Sequence, residues 1–243
     1  MLVTVARATS EQINQITGPA GLTDILSCYV VNARSLKKPN ALQLLQTEMF
    51  ACICDVAAVI DTWLSKAVDS TAIQIDCYTL HRNDGSGQRG GGIAVYVKER
   101  YNSSILSTAN SHSGKLLGHE LVWLKISKNA QIYIFGLVYH PPKPIYDSHD
   151  FTVKLFNDID ELSCIFPQAT FYWTGDFNRL DITKQSIDAC LTQIVQSTTH
   201  GRHTLDFFLT NRDDIVSCTV VKLLLNTHHL ALMVNCVTSC CFY

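Results

Sequence analysis

The 243-residue chain has little charge of either sign: Asp, Glu, Lys and Arg together make up 16% of it, and its formal net charge is −2. A protein that coats nucleic acid needs a broad basic surface, so this balance argues against that class. It leaves open an enzyme that grips nucleic acid through one local groove. Apolar residues reach 47%, which is enough to build a hydrophobic core and excludes disorder as the main state.

Long hydrophobic runs are also missing. No stretch approaches the roughly 18 consecutive apolar residues of a membrane span, and the N-terminus turns polar too early for a secretory signal peptide. We therefore expect an intracellular protein. Internal repeats, low-complexity linkers and charge runs are missing too. The simplest organisation is an N-terminal tail over 1–21, one domain over 22–238 and a C-terminal tail over 239–243.

The ten cysteines include no CxxC pair, so a zinc ribbon or a thioredoxin-type motif has no support. Most of them lie in apolar, strand-like runs, where a free thiol behaves as a small hydrophobic side chain. We interpret them as reduced core thiols. The alternative is a metal site that combines Cys52 and Cys54 with a distant histidine, and the lack of a second cysteine pair disfavours it.

Apolar runs of strand length recur along the chain, with a few segments of helical spacing between them. The predicted strands cover 25–31, 51–60, 71–80, 93–97, 120–126, 131–140, 169–178 and the segments LDFFLTN, VSCTVVKLLL and LALMVNCV. The predicted helices cover 40–49, 148–165 and 183–196. A glycine-rich hairpin or loop is expected at HRNDGSGQRGGG. Many strands with helices spread between them predict a layered α/β domain with largely antiparallel or mixed sheets.

Several of the apolar runs end in a residue that suits metal or phosphate chemistry. Strand ends that converge on one edge commonly build an active site from residues distant in sequence. Taken singly, each such residue is also an ordinary turn former or a surface histidine. The residues at these ends are Asn32, Asp61, Tyr139, His140, Asp176, Asn178, Asp206, His228 and His229.

The order of these motifs resembles the endonuclease/exonuclease/phosphatase superfamily and, more narrowly, the endonuclease domain of LINE-type (non-LTR) retrotransposons. The resemblance covers nearly the whole chain, and GDFN and VYHPP with RGGG upstream are its most specific part. The matching segments are NARSL (32–36), DTWL (61–64), RGGGIAVYV (89–97), ELVWLKI (120–126), VYHPP (138–142), GDFN (175–178), TLDFFLTN (204–211) and THH (227–229).

The resemblance implies a four-layer α/β sandwich, two packed mixed sheets flanked by helices, which hydrolyses phosphodiester bonds in DNA with Mg²⁺ or Mn²⁺. A DNA substrate also favours a nuclear location. The implied roles follow from the matching positions. Asn32 and Asp61 are expected at the metal site, and Tyr139 at the scissile phosphate. Asp176 is expected to activate the attacking water, and Asn178 to position it. Asp206 is expected to orient His229, which stabilises the negative charge that develops on the phosphoryl group.

Two positions depart from the family pattern. The family's Glu-Thr-Trp-Leu reads Asp-Thr-Trp-Leu here, and the side chain of Asp61 is shorter by one C–C bond, roughly 1.5 Å. The family's final Ser-Asp-His reads Thr-His-His, so that His228 replaces a carboxylate and, if protonated, repels a cation. Because Mg²⁺ tolerates little distortion of its ligands, we expect the fold to be retained and the activity to be weak or lost.

Three other interpretations stay open at this stage. The first is a phosphatase of the same superfamily. The second is a non-catalytic module, derived from the endonuclease, that binds nucleic acid or protein. The third is an unselected relic of a retroelement that folds poorly. Lys37, Lys38 and Arg89 are candidates for contact with the nucleic-acid backbone. Solvated loop charge is an equally good interpretation of these three residues.

Overall fold

The computed structural model describes residues 26–85, 90–108, 120–212 and 218–235. The two predicted tails, 1–21 and 239–243, and Arg89 lie outside these ranges. Helices and strands follow one another in the order β1 (Cys28–Asn32), α1 (Ala41–Cys52), β2 (Val56–Ile60), a 3₁₀ turn (Ser70–Ile73), β3 (Tyr78–Asn83), β4 (Ile93–Lys98), β5 (Asn102–Leu106), β6 (Glu120–Lys128), β7 (Gln131–Tyr139), α2 (Ser148–Ile165), β8 (Thr170–Asp176), α3 (Thr183–Asp188), β9 (Thr192–Gln193), β10 (Asp206–Thr210), β11 (Cys218–Val221) and β12 (Ala231–Val234).

The strands form two mixed sheets of six strands each. The first sheet has the order β11-β12-β1-β2-β4-β3, and the second has the order β5-β6-β7-β8-β10-β9. Each sheet contains one parallel pair, β1 with β2 in the first and β7 with β8 in the second. The carboxyl ends of these four strands bring together most of the polar residues singled out in the sequence.

Alternate residues of the central strands separate the interior into three apolar layers, as the two-residue period of a strand requires. Val30 of β1 packs with Phe135 of β7 between the two sheets. Tyr29, one position earlier, points to the opposite face, where Leu45 and Met49 of α1 cover the first sheet. Helix α2 covers the outer face of the second sheet. The predicted four-layer α/β sandwich is therefore confirmed.

Helix α2 and the β6–β7 hairpin occupy the segments that the sequence predicts for them. Asp147 caps α2 by accepting hydrogen bonds from the backbone N–H groups of His149 and Asp150 at 2.8 and 3.0 Å, which satisfies two of the unpaired donors at a helix start. The hairpin pairs Glu120 with Tyr139 at its open end. That register fixes the position of both residues relative to the strand ends of the second sheet.

Three predicted elements are wrong in their extent. The apolar run 51–60 is not one strand: its first residues complete α1, Ile53 ends the helix with a left-handed φ of 51°, and the strand begins at Val56. The predicted helix over 183–196 ends at Asp188, and the short strand β9 follows. Within the predicted strand 71–80, a 3₁₀ turn comes first and the strand starts only at Tyr78.

The cysteines only partly follow the prediction of core thiols. Of the seven in the described ranges, all are free; Cys28, Cys52 and Cys54 are buried, and three others are exposed. Cys52 and Cys54 belong to no group of potential metal ligands in the described part of the chain, because Cys52 faces the sulfur of Met233 and Cys54 faces the hydroxyl of Tyr78. The described helices include none with the length and apolar composition of a membrane span.

Candidate active site

Four polar residues occupy neighbouring positions on successive strands at one edge of the second sheet. Tyr139 of β7 aligns with Glu120 of β6 on one side and with Asp176 of β8 on the other, and Asp206 of β10 aligns with Asp176. Residues directly opposite each other project to the same face of a sheet. Tyr139 packs against the layer between the sheets, so this polar row of Glu120, Tyr139, Asp176 and Asp206 faces the first sheet.

Asn32 meets the polar row from the first sheet. It is the last residue of β1 and is buried between the sheets. Its Nδ2 donates a hydrogen bond to Oδ2 of Asp176 at 2.8 Å, and its Oδ1 accepts one from the backbone N–H of Arg34 at 3.0 Å. A carboxylate and an amide from different sheets are thus joined directly, and the two sheets are locked together at the site.

His229 lies between two carboxylates of the row, hydrogen-bonded to Asp206 and at a longer ion-pair distance from Asp176. Its Nδ1 lies 2.9 Å from Oδ2 of Asp206, and its Nε2 lies 3.9 Å from Oδ2 of Asp176. Burial favours the neutral imidazole, but the hydrogen bond and charge of Asp206, helped by Asp176 and Asp61, outweigh it and raise the pKa of His229. The arrangement therefore favours an imidazolium whose Nε2–H points toward Asp176.

Asp176 and Asn178 form a tight turn after β8. The backbone N–H of Asn178 donates to Oδ1 of Asp176 at 3.1 Å, and its Nδ2 donates to the carbonyl of His140 at 2.7 Å. Burial, followed by the charge of Asp206, raises the pKa of Asp176 well above its usual range, although His229 and Asn32 oppose the shift. A buried carboxylate with a raised pKa is a suitable general base near neutral pH.

Asp61 follows β2 in a left-handed conformation with φ of 56°. Its Oδ1 accepts hydrogen bonds from the backbone N–H of Gly91 at 2.6 Å and from Nε1 of Trp63 at 2.8 Å. No described residue donates a hydrogen bond to its Oδ2. Burial raises the pKa of Asp61, while its hydrogen bonds with Gly91 and Trp63, and then His229 and Arg34, oppose the shift. One carboxylate oxygen is therefore fixed, and the other is available to a ligand.

Tyr139 is half-buried at the centre of this group. Burial, and then the charges of Asp61, Asp176 and Glu120, raise the pKa of its hydroxyl. The phenol therefore keeps its proton and remains a hydrogen-bond donor at neutral pH. A neutral donor surrounded by carboxylates is well suited to hold a phosphate oxygen that enters the site.

Glu120 is a member of the polar row that the sequence analysis did not single out. It accepts a hydrogen bond from the backbone N–H of Gly92, and burial together with Asp61 raises its pKa to about 7. Gly91 has no room for a side chain, because a Cβ there would lie 2.2 Å from Oε1 of Glu120. In the sequence, Glu120 stands at the start of the first strand of the predicted hairpin, and Tyr139 stands near the end of the second. That placement was the one sequence feature that could have pointed to Glu120.

The structure brings all seven predicted site residues to one edge of the sandwich, whereas the neighbouring lysines and His228 lie beside it. Lys38 is held by the carbonyl oxygens of Ala33 and Asn226, at 3.2 and 2.8 Å. His228 lines an adjacent pocket, and its ring centre lies 6.4 Å from that of His200. The catalytic and metal-binding roles given to the seven residues stay predictions.

The donor set fits a divalent cation. Mg²⁺ and Mn²⁺ favour carboxylate and amide oxygens, and Asp61 offers its Oδ2 and Asn32 its Oδ1. The carboxylates of Asp176 and Asp206 and the imidazole of His229 offer further ligand atoms that all lie within 4.8 Å of one another. The described residues contain no other such group of His, Cys, Asp and Glu.

The fold is shared with solved proteins of very different sequence. The endonuclease domain of TRAS1, a telomere-specific non-LTR retrotransposon, aligns with a TM-score of 0.61 at 14% identity over 87% of this chain and 98% of that one. D. rerio TDP2 complexed with a single-strand DNA product gives 0.62 at 12% identity over 86% and 97%. The Bacteroides thetaiotaomicron mannosyl-6-phosphatase gives 0.61 at 13% identity over 88% and 100%.

These likenesses confirm the resemblance to the endonuclease/exonuclease/phosphatase superfamily at the level of the fold. The sequence itself gives no comparable match: no family model matches the chain, and no curated protein matches it significantly. Since the structural neighbours include an endonuclease domain, a protein with a bound DNA product and a phosphatase, the fold alone does not choose the substrate.

Proposed function

We propose that this protein is a divalent-metal-dependent endonuclease that hydrolyses phosphodiester bonds in DNA, and that two substitutions at its site lower its rate. The observation that carries the proposal is the chain of contacts Asp206–His229–Asp176–Asn32, which spans both sheets. It combines a carboxylate–imidazole pair, a second buried carboxylate and an amide. That set can activate water and stabilise negative charge within one small site.

Asp176 and Asn178 act on the attacking water. The raised pKa of Asp176 lets its carboxylate take a proton from water near neutral pH. The turn that joins Asp176 to Asn178 fixes where the water lies, since Asn178 is itself anchored to the carbonyl of His140. Positioning of this kind lowers the entropy cost of bringing water to phosphorus.

His229, Asp206 and Tyr139 act on the phosphate. Asp206 holds the imidazole of His229 through Nδ1 and raises its pKa, so Nε2–H donates to a phosphoryl oxygen as negative charge develops there. The neutral hydroxyl of Tyr139 donates to a second oxygen. The hydrogen bond with Asp206 fixes the His229 donor before the substrate arrives, which avoids reorganisation in the transition state.

Asp61 and Asn32 would hold the Mg²⁺ or Mn²⁺ ion through their carboxylate and amide oxygens. When bound, the cation neutralises charge on the phosphoryl and leaving oxygens and lowers the pKa of water. Asp61 is fixed through its other oxygen by Gly91 and Trp63, so it cannot follow a displaced ion. The shorter side chain and the missing carboxylate at His228 together weaken metal binding, and each 1.4 kcal/mol lost lowers the rate about tenfold.

The DNA substrate is supported by the single-strand DNA product bound to TDP2 and by the retrotransposon endonuclease domain among the structural neighbours. A phosphatase acting on a small phosphorylated substrate is the second candidate, because a sugar phosphatase has the same fold with a similar TM-score. DNA nicking without release of phosphate from a phosphomonoester excludes this second function.

The test is nicking of supercoiled plasmid in Mg²⁺ or Mn²⁺ by the parent chain, His228→Asp, Asp176→Ala and the surface control Asp160→Asn. We expect slow nicking by the parent, faster nicking by His228→Asp, none by Asp176→Ala and no change for Asp160→Asn. A silent parent that His228→Asp restores supports the site and assigns the impairment to one carboxylate. If neither cuts, the endonuclease proposal is wrong, and salt-dependent DNA binding without cleavage then favours a binding module.

A further inference from the structure

A pocket of about 510 Å³ adjoins the site on the side of Asp61. Pockets that bind small ligands commonly measure roughly 300–1,000 Å³. None of its lining residues is acidic, and none is one of the seven predicted site residues, although Trp63 holds the carboxylate of Asp61. They are Arg34, Ser35, Lys38, Trp63, Asn226 and His228.

The pocket is built by three loops: two prolong strands β1 and β2, and the third, with Asn226 and His228, lies between β11 and β12. Backbone hydrogen bonds continue the strand pairing into the loops, from Ser35 to Asp61 at 2.8 Å and from Leu36 to Thr62 at 2.9 Å. The ammonium of Lys38 donates to a carbonyl of its own loop and to that of Asn226. Lys38 therefore links two loops of the pocket wall, and its ammonium group is already hydrogen-bonded to the protein.

The backbone of the loops after β1 and β2 is strained where it presents side chains to the pocket. Arg34, Ser35 and Trp63 have positive φ values of 46°, 96° and 57°. Glycine adopts such angles without cost, whereas residues with a Cβ lose of order 1–3 kcal/mol each. Strain of this kind persists only where the surrounding contacts impose the conformation. The side chains that it holds in place here are a guanidinium and an indole.

An indole and a guanidinium are side chains that proteins commonly use to bind nucleotides. An indole face stacks with any nucleobase, and a guanidinium binds phosphate through paired hydrogen bonds. Trp63 is half-buried, and its Nε1 is held by Asp61 at 2.8 Å, so the ring is fixed in orientation. The guanidinium of Arg34 is exposed and makes no hydrogen bond or ion pair with the described residues.

We propose that this pocket is a nucleotide subsite that holds the unpaired nucleotide next to the cleaved bond, with its base stacked on Trp63 and its phosphate bound by Arg34 and His228. The placement of this nucleotide beside the cleaved bond rests on the proposed endonuclease function. Binding of a nucleotide does not rest on it, because the pocket needs no metal ion and no catalysis. The base must leave a duplex to reach Trp63, so the subsite favours single-stranded or locally opened DNA.

The fluorescence of Trp63 gives a direct test. The other two tryptophans, Trp123 and Trp173, are 3% and 0% exposed, so a ligand that enters the pocket changes the emission of Trp63 alone. dAMP is titrated into the protein in EDTA, with deoxyribose 5-phosphate as the ligand without a base. We expect saturable quenching by dAMP and none by deoxyribose 5-phosphate. Equal quenching by both, or quenching by neither, overturns the subsite.

Three variants separate the pocket from general effects. Trp63→Phe keeps an aromatic ring and should abolish the dAMP-dependent quenching, with folding checked by circular dichroism. Arg34→Gln should weaken dAMP binding about tenfold, because it removes a charge-assisted phosphate contact, while Lys66→Gln, an exposed lysine outside the pocket, should leave it unchanged. Equal losses of dAMP affinity for Arg34→Gln and Lys66→Gln would mean that only the net charge of the protein matters, and would contradict the proposal.

The two proposals can fail separately. Quenching in EDTA that persists when neither the parent nor His228→Asp nicks plasmid supports the nucleotide subsite and contradicts the endonuclease. Nicking without quenching supports the endonuclease and removes the subsite. If both hold, Arg34→Gln should raise the KM for a single-stranded oligonucleotide about tenfold and change kcat less, since the contact lies outside the reacting bond.

Discussion

Asn32 and Asp176 are 144 positions apart in the sequence, and Asn32 Nδ2 donates to Asp176 Oδ2 at 2.8 Å. The contact links the last residue of β1 to the last residue of β8, so it joins the two sheets where the candidate active site lies. Because both side chains are buried, each depends on the other to satisfy a polar group. The same hydrogen bond therefore contributes to the candidate active site and to the packing of the two sheets.

Removal of this contact should cost stability as well as activity. We expect Asn32→Ala to lower the free energy of unfolding by about 1–3 kcal/mol, because Asp176 loses a donor and a buried acceptor is left unpaired. Urea unfolding measures it. The control is Asn102→Ala on the exposed strand β5, which should cost under about 0.5 kcal/mol. Equal free energies of unfolding for the parent and Asn32→Ala would show that the packing of the two sheets does not depend on this pair.

Asp206→Asn tests the orientation of His229. An amide in place of the carboxylate removes the charge that raises the pKa of His229, so the imidazolium becomes less populated at neutral pH. We expect plasmid nicking to fall by roughly 10²–10⁴-fold. The remaining activity should move to lower pH, because the alkaline limb set by the pKa of His229 shifts down. An unchanged pH–rate profile would contradict a role for Asp206 through His229.

Asp61→Glu restores the length of the family's metal ligand. We expect a lower Mn²⁺ concentration for half-maximal nicking, with a rate gain of about tenfold or more for each 1.4 kcal/mol recovered. Asp61 has positive φ, which Glu adopts less readily, so a small fall in Tm should accompany the gain. A lower rate for Asp61→Glu than for the parent would mean that the surrounding loops have adapted to the shorter side chain.

Gly175 is required by close contact of neighbouring backbones. Its φ is 150°, and a Cβ there would lie 1.9 Å from the carbonyl oxygen of Val138. Backbone cannot move aside as a side chain can, so Gly175→Ala should cost more than about 3 kcal/mol or prevent folding. Gly201→Ala is the matched control, because its φ is 58° but nothing lies within 4 Å of the added Cβ. We expect it to cost only about 1–2 kcal/mol, measured by thermal unfolding.

A buried ion cluster at the other end of the first sheet should govern stability in acid. Asp55 accepts contacts from Lys128 at 3.1 Å, Lys98 at 3.3 Å and Arg100 at 2.9 Å. Burial alone would raise the pKa of Asp55, but Lys128 and Lys98 outweigh it and hold that pKa below its usual value. Its contribution to stability is therefore present above the unfolded pKa of roughly 3.9 and is lost as pH falls through the folded pKa.

Asp55→Asn tests this cluster by leaving two largely buried cations, Lys98 and Lys128, without their partner. We expect a loss of about 3–5 kcal/mol at pH 7, with a difference between parent and variant that narrows as pH falls below about 4. Urea unfolding across this range measures it, with Asp160→Asn as the exposed control. A difference that is constant with pH would assign the loss to packing and not to charge.

The sequence by itself predicted the class of fold and seven polar residues that the structure places together at one edge of it. Polar residues follow the apolar runs in a fixed order, and most strand ends can be located from the point where an apolar run stops. The extent of α2 and the β6–β7 hairpin also follow from local signals, a helical repeat in one case and a short polar turn in the other. Such features depend on neighbours in sequence, and no distant contact is needed to predict them.

Tertiary structure alone decided the features that depend on contacts between distant segments. The apolar run 51–60 suits a helix end and a strand start equally well, and packing of α1 on the first sheet makes the division at Ile53. Glu120 joined the site because strand register, which no local pattern specifies, sets it beside Tyr139. The pocket around Arg34 and Trp63 likewise exists because the loops after β1 and β2 pair through their backbones and the loop before β12 contributes Asn226 and His228. No local sequence pattern predicts such long-range contacts.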